Sequence, residues 1–365
     1  MMHEASLSER QLFSQFLDAL RELPEVHADL ADLEPIDSTA DRGHDAQIDL
    51  WVAGKSFILL IEAKKAVYPR DVREVIWKFR EAGRGQTRGQ GDDPLSLLIA
   101  ESISPGAKEL LRSEHVGYYD SGGSMYLPAP GAYFYIDKPP PKTFAKWIRS
   151  LFSGRRAQVL HALLVQHDDW FGVNELAKRA MVSPATASQV LTELERFDWL
   201  KLRGQGPSKE RHLREPAALL DAWVTQLASM RPANLRRYYV PATKTDQLME
   251  HVGKVFDAHD AGYAISYEAA AQRYSPFLSS VSQVRARLLI GSNADAAIGE
   301  LGARAVNEGA NLAIIEAKSP GDLLFRERLG GIWLASPVQV YLDLMRGEGR
   351  SKEMAEHLRK ERIGF

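Results

Sequence analysis

Phe57-Ile58-Leu59-Leu60-Ile61-Glu62-Ala63-Lys64 is the stretch on which the reading of this chain turns. A short unbroken apolar run of this kind predicts a strand. Charged residues seldom close such a run, because burying an unpaired charge is expensive. Glu62 and Lys64 are two apart, so they share one face of the strand. A second apolar run, Ile48–Val52, precedes it through Ala53-Gly54-Lys55-Ser56, which predicts a β-hairpin. An even number of loop residues makes cross-strand partners sum to an odd number. Asp49 then lies on the face of Glu62 and Lys64, opposite or diagonal to Glu62. Two carboxylates and an amine would converge there.

That trio suits phosphodiester hydrolysis. Two carboxylates can hold Mg²⁺, which keeps most of its waters and bridges to phosphate oxygens. The metal activates a water, while a lysine orients that water or offsets developing charge. Asp49, thirteen residues and a hairpin turn before Glu62-Ala63-Lys64, resembles the core of the PD-(D/E)XK nucleases. The resemblance covers roughly the first 135 residues. It implies a restriction-endonuclease-like αβββαβ domain, with Asp49 and Glu62 as metal ligands and Lys64 as the catalytic lysine. The same residues also read as a surface salt-bridge cluster, or as a nuclease fold that only binds DNA. A second copy, Ile314-Ile315-Glu316-Ala317-Lys318, has no aspartate on the strand before it, Arg285–Ile290, and is read as structural. The helix after the first copy carries no Gln where many such nucleases place one, though Arg73 could point at phosphate.

Outward from the hairpin, Ser8-x-x-Gln11 fits a helix capping box, followed by Leu12, Phe13, Phe16, Leu17 and Leu20 at helical spacing. A helix over Asp71–Glu81, a mobile loop at Gly83–Gly91, and strands near Leu97–Ala100 and Tyr133–Ile136 are expected. The run Asp137-Lys138-Pro139-Pro140-Pro141-Lys142 marks a boundary, since three prolines hold the chain extended. Helices over Phe144–Phe152 and Ala157–Val165 should follow.

Val173 to Arg179 predicts a short helix capped by Asn174. Ser183-Pro184 then opens a second helix, with proline at its first position. That helix should bury Ala187, Val190, Leu191 and Leu194, and present Thr186, Ser188, Gln189 and Thr192, a polar face able to meet base edges in a major groove. Trp199 to Arg203, a Gly204–Ser208 turn, and Lys209 to Arg214 read as a hairpin with five basic residues and one acidic. Helix-turn-helix plus basic hairpin resembles the winged-helix DNA-binding family over about Arg155–Leu213. The resemblance implies DNA contacts from Ser183, Pro184, Thr186, Ser188 and Gln189, and from Arg203, Lys209 and Arg211 of the wing. A structural winged helix used for protein contact is the other reading.

Farther on, Ala217 to Trp223, Tyr267 to Ala271, Ser336 to Leu344 and Gly347 to Arg359, with the winged helix, are similar to the AbiEi-type antitoxin family over about Arg155–Phe365. Membership implies a transcriptional regulator that binds its own promoter, usually beside a nucleotidyltransferase-like toxin. The C-terminal α+β domain would be a degenerate nucleotidyltransferase-like or interaction module. Tyr341, Leu342, Leu344, Ala355 and Leu358 are expected in its core. Gly291-Ser292 lacks the paired aspartates of a nucleotidyltransferase site, and His251, His259 and His357 lack metal-ligand spacing.

An α/β multidomain protein follows, divided as 1–138 (nuclease-like), 139–153 (linker and connecting helix), 154–214 (winged helix) and 215–365 (AbiEi-like). With no cysteine, thiolate metal sites, disulfides and a cysteine nucleophile are excluded, which agrees with a reducing cytoplasm. No stretch approaches the about 18 apolar residues of a membrane span, and the first residues lack a signal-peptide layout. Lys and Arg number 46 against 48 Asp and Glu, so any nucleic-acid patch must be local. The expected function is a DNA-binding, antitoxin-like repressor whose nuclease-like domain adds contacts to double-stranded DNA. A cognate toxin or other protein would sit at the C-terminal domain, and a homodimer would read a palindrome. The alternative is a Mg²⁺-dependent endonuclease targeted by the winged helix, as in phage defence.

Overall fold

The computed structural model describes residues 8–33, 45–52, 54–86, 94–231, 234–241 and 244–365. They form a mixed α/β protein with several sheets. Contacts divide the chain into two compact units, Met1–Ile148 with Glu193–Asp198, and Arg149–Thr192 with Trp199–Phe365.

The first unit is built in the order α1 (Glu9–Arg21), β1 (Val26–Leu33), β2 (Ala46–Val52), β3 (Lys55–Val67), α2 (Pro69–Gln86), β4 (Leu95–Ile103), α3 (Pro105–Ser113), β5 (Gly117–Asp120), β6 (Met125–Ala129), β7 (Ala132–Ile136) and α4 (Lys142–Leu151). Its seven strands lie in sequence order in one sheet. β2 and β3 form the expected antiparallel hairpin, and β3 pairs with β4 in parallel. A parallel pair needs a crossover, which α2 supplies. β3 is apolar on both faces because both are covered. Leu59 and Ile61 pack with Leu12, Phe13, Phe16 and Leu20 of α1, while Leu60 packs with Val72, Val75 and Phe79 of α2. The Ser8 capping box forms as read, with the Gln11 side chain accepting from the Ser8 amide at 2.8 Å. Capping of this kind is worth about 1 kcal/mol.

Differences from the sequence reading have local causes. The helix expected at Asp71–Glu81 runs on to Gln86, so only residues 87–91 of the expected loop are outside α2, and they lie outside the described residues. β1 was not anticipated: it is an edge strand whose His27 and Asp29 are exposed, as edges that avoid pairing with other chains tend to be. Ala53 of the turn is outside the described residues, and Gly54 has φ +78°, a conformation that favours glycine.

The second unit begins with α5 (Gly154–Val165), β8 (Trp170–Phe171), α6 (Val173–Arg179), α7 (Pro184–Arg196), β9 (Leu200–Arg203) and β10 (Glu210–Leu213). The three short strands form a sheet in the order β8-β10-β9. Then come α8 (Pro216–Ser229), β11 (Leu235–Tyr239), α9 (Thr245–Ala258), β12 (Tyr263–Ser266), α10 (Tyr267–Tyr274), β13 (Val284–Leu289), α11 (Ser292–Glu300), β14 (Arg304–Ala305), β15 (Leu312–Ala317), β16 (Glu327–Leu329), β17 (Ile332–Leu334), α12 (Pro337–Leu344) and α13 (Ser351–Leu358). The second sheet runs β14-β11-β15-β13-β12-β17-β16. Tyr341, Leu342, Leu344, Ala355 and Leu358 are all buried, as their spacing predicts. A buried ion pair ties α12 to the sheet: Asp343 accepts from Arg287 (Nη2 to Oδ1, 2.5 Å), Ser266 (2.5 Å) and Gln339 (3.0 Å). No helix among the described residues is long and apolar enough to cross a membrane.

Candidate functional site

The β2–β3 register decides which carboxylates meet. Val52 pairs with Lys55, leaving a two-residue turn, so Asp49 faces Ile58. The odd sum holds and Asp49 does share the face of Glu62 and Lys64. It is nevertheless four residues from the position opposite Glu62, about 13 Å along the strand at ~3.3 Å per residue. Its cross-strand neighbour on the other side is Asp29. Asp49 is therefore neither opposite nor diagonal to Glu62.

Asp45 is the carboxylate held next to Glu62. Its amide donates to the Ile61 carbonyl at 2.7 Å, and its Oδ2 accepts from the Ala63 amide at 2.7 Å. The carboxylate is thus fixed beside the Glu62-Ala63 peptide. Sequence reasoning passed over Asp45 because it precedes the apolar run rather than lying in it. The available signal was loop length: a two-residue turn brings Ala46 opposite Ile61, and Asp45 just beyond it.

Glu62 is 4% exposed, with its stem on the α2 side of the sheet. Lys78 of α2 donates to its Oε1 at 2.9 Å, and Lys64 Nζ lies 3.8 Å from the same oxygen and 3.8 Å from Glu74. Burial pushes the Glu62 carboxyl above its ordinary range. The Lys78 hydrogen bond opposes that push, and the charge of Asp45 adds to it. Glu9, in the first turn of α1, is also raised, by partial burial and then by Asp45.

Two fixed carboxylates of this kind match the oxygen donors a hard divalent cation takes. Among the described residues no group of three or more His, Asp or Glu side chains is placed to hold a metal ion. Mg²⁺ between Asp45 and Glu62 would therefore keep most of its shell as water, its usual habit. The second Glu-Ala-Lys copy is built differently: β15 runs parallel to β13, and Glu316 pairs with Arg236.

In the second unit, α7 buries Ala187, Val190, Leu191 and Leu194 as its periodicity demands. Ser183 caps it, its Oγ accepting from the Thr186 amide at 3.2 Å and lying 3.0 Å from Thr186 Oγ1. Pro184 opens the helix and Gln189 is exposed, while Thr186 and Ser188 are half-buried. Thr192 donates to the Ser188 carbonyl at 2.9 Å. The N-terminal turn of α7 thus presents hydroxyl and amide groups to solvent.

The β9–β10 hairpin corrects the expected basic wing. Arg211 pairs with Leu202 in register and is only 7% exposed, on the same side of β10 as the buried Leu213. Strand alternation turns it inward, so it does not project toward a phosphate. Arg203 is exposed, but its Nε donates to Glu210 at 2.6 Å and its guanidinium lies 4.3 Å from the centre of the Trp170 ring. Lys209 is half-buried and Lys201 exposed. Gly204 has φ +73°, and a Cβ there would meet the Ser208 carbonyl at 2.5 Å, so the turn requires glycine.

Of the scattered histidines, His259 bonds Glu300 at 2.6 Å and His357 packs on Phe277. His161, which the sequence did not single out, is buried against Ser336. No protein family, curated protein or solved structure matches the chain.

Proposed function

We propose that this protein is a Mg²⁺-dependent deoxyribonuclease whose centre is Asp45, Glu62 and Lys64. The observation that carries the reading is the Asp45 carboxylate held on the Ala63 amide, one residue from the buried Glu62, with Lys64 on the same strand. The order α1-β1-β2-β3-α2-β4 matches the αβββαβ core that the nuclease resemblance implies. Asp45 and Glu62 would hold the metal, which when bound supplies a polarised phosphate and an activated water. Lys64 places a positive charge at the attacking face, and Lys78 holds the Glu62 carboxylate in position. The α6–α7 pair and its hairpin act as a winged helix that brings double-stranded DNA to the protein. Ser183, Thr186, Ser188 and Gln189 contribute from α7, and Lys201, Arg203 and Lys209 lie along the wing. The cysteine-free chain suits work in the cytoplasm.

A specific observation favours a second reading. Lys78 already donates to Glu62, so a lysine neutralises part of the charge a metal would meet. Under that reading the protein is an AbiEi-like repressor whose nuclease-like domain only contacts DNA, and whose C-terminal domain receives a toxin or a second copy.

Duplex and single-stranded DNA incubated with the purified chain in Mg²⁺ or EDTA separate the two. The nuclease reading expects cutting in Mg²⁺ only, reduced by ~10²–10³-fold in Asp45→Asn and Glu62→Gln, with Asp49→Asn close to wild type. Intact but shifted DNA in every lane selects the repressor. Cutting that survives Asp45→Asn overturns the site.

A further inference from the structure

The second sheet carries a cationic cavity that the DNA-directed reading does not use. In register, Arg237 of β11 and Arg285 of β13 both flank Ala313 of β15. Paired residues on neighbouring strands point to the same face, so two arginine stems rise about 10 Å apart, two strand spacings of ~4.8 Å, with only a methyl group between them. Arg346, just beyond α12, lines the same space, and the cavity measures about 930 Å³. That volume lies in the range of small-ligand sites.

The positive charges are held in place. Arg285 donates through Nε to Gln283 at 2.9 Å and lies 4.5 Å from the centre of the Tyr267 ring. Arg346 donates to the Met230 carbonyl at 3.1 Å. Tyr267 itself has φ +55°, a region a bulky residue enters at a cost, and such strain gathers at sites that need a fixed geometry. Neighbouring charges are largely committed elsewhere: Asp343 to Arg287, and Glu316 to Arg236 across the sheet. Glu268 approaches Arg285 only to 3.9 Å, while Ser351 donates to it at 2.6 Å. Glu348 is the one carboxylate lining the cavity among its described walls.

Convergent guanidinium groups on a concave surface suit phosphate oxygens, which accept their paired N–H donors two at a time. The side chains of Asn234 and Asn307 on the same wall offer both donors and acceptors to a polar ring. We propose that this cavity binds a free nucleoside polyphosphate, with Arg237, Arg285 and Arg346 on its phosphates. The concave shape suits a small polyanion. The proposal is independent of the nuclease reading and survives its failure.

Calorimetric titration of the full chain with each of the four ribonucleoside triphosphates tests it, with inorganic triphosphate and a short single-stranded oligonucleotide as further arms. At least one nucleotide should bind at one site per chain, displaced by inorganic triphosphate. Arg237→Glu and Arg346→Ala should each weaken it by about tenfold or more, and Glu348→Gln should tighten it. Melting temperatures of the unliganded variants should match wild type, which separates lost binding from lost folding. Absence of binding by every nucleotide at millimolar concentration overturns the proposal, as does binding indifferent to Arg237→Glu. Oligonucleotide binding that depends on Arg237, without nucleotide binding, overturns the free-nucleotide assignment in favour of a nucleic-acid backbone.

Discussion

Replacing His161 by Gln should remove most of the mild-acid sensitivity of the second unit. His161 lies on α5, buried, with Nε2 2.5 Å from the Ser336 hydroxyl. Ser336 Oγ also accepts from the Gln339 amide at 3.1 Å as the cap of α12. Burial, with Arg287 nearby, lowers the His161 pKa from 6.5 to about 3. The sign follows from proton counting. Below pH 6.5 the unfolded chain takes up a proton that the folded chain refuses until about pH 3. The stabilisation is therefore complete above 6.5 and is lost progressively as pH falls toward 3. At ~1.4 kcal/mol per pH unit, moving to pH 5 costs about 2 kcal/mol through this residue alone. Gln keeps a polar group near Ser336 and does not titrate. Urea unfolding at pH 7 and pH 5 gives the comparison, in which wild type should lose about 2 kcal/mol more than His161→Gln. Any constant cost of the substitution cancels in that difference. Parallel losses in the two proteins would refute the reasoning.

Arg211→Ala should destabilise the second unit by about 1–3 kcal/mol in urea unfolding, because its stem is buried and its guanidinium donates to the Lys209 carbonyl. Arg203→Ala should leave stability near wild type and lower the salt slope of DNA binding by about 1. An unchanged slope would remove Arg203 from the interface. Lys108 and Asp120 form a buried pair at 2.7 Å in the first unit. Lys108→Met should cost ~3–5 kcal/mol, and adding Asp120→Asn should recover part of it. A single-variant loss under about 1 kcal/mol would contradict that account. Asp49→Asn should stabilise the first unit by ~0.2–1 kcal/mol at pH 7 in urea unfolding, because Asp49 faces Asp29 across the β1–β2 pair, and an unchanged midpoint would show that the two charges do not interact.

The apolar run at Phe57–Ile61 is enough to place a strand, because its length and apolar character need no distant partner to be read, whereas its cover by α1 on one face and α2 on the other comes from the packing. Period-two alternation then put Glu62 and Lys64 on one face, and the parity of the turn put Asp49 on that face too. Local patterning likewise gave the α1 cap, the buried stripe of α7 and the core positions of α12 and α13, since each depends on neighbours a few residues away. The sequence could not fix how far the strands slide. A four-residue turn sets Asp49 diagonal to Glu62, whereas the two-residue turn that forms sets it opposite Ile58, and both keep the same face. Arg211 shows the same limit: a basic residue in a hairpin reads as a phosphate contact until the pairing with the buried Phe171 of β8 places it on a covered face. The Arg237–Ala313–Arg285 row joins three strands distant in sequence, so no local pattern encodes it. Which charges meet is decided by register and strand order, and those are settled by the packing of the whole sheet.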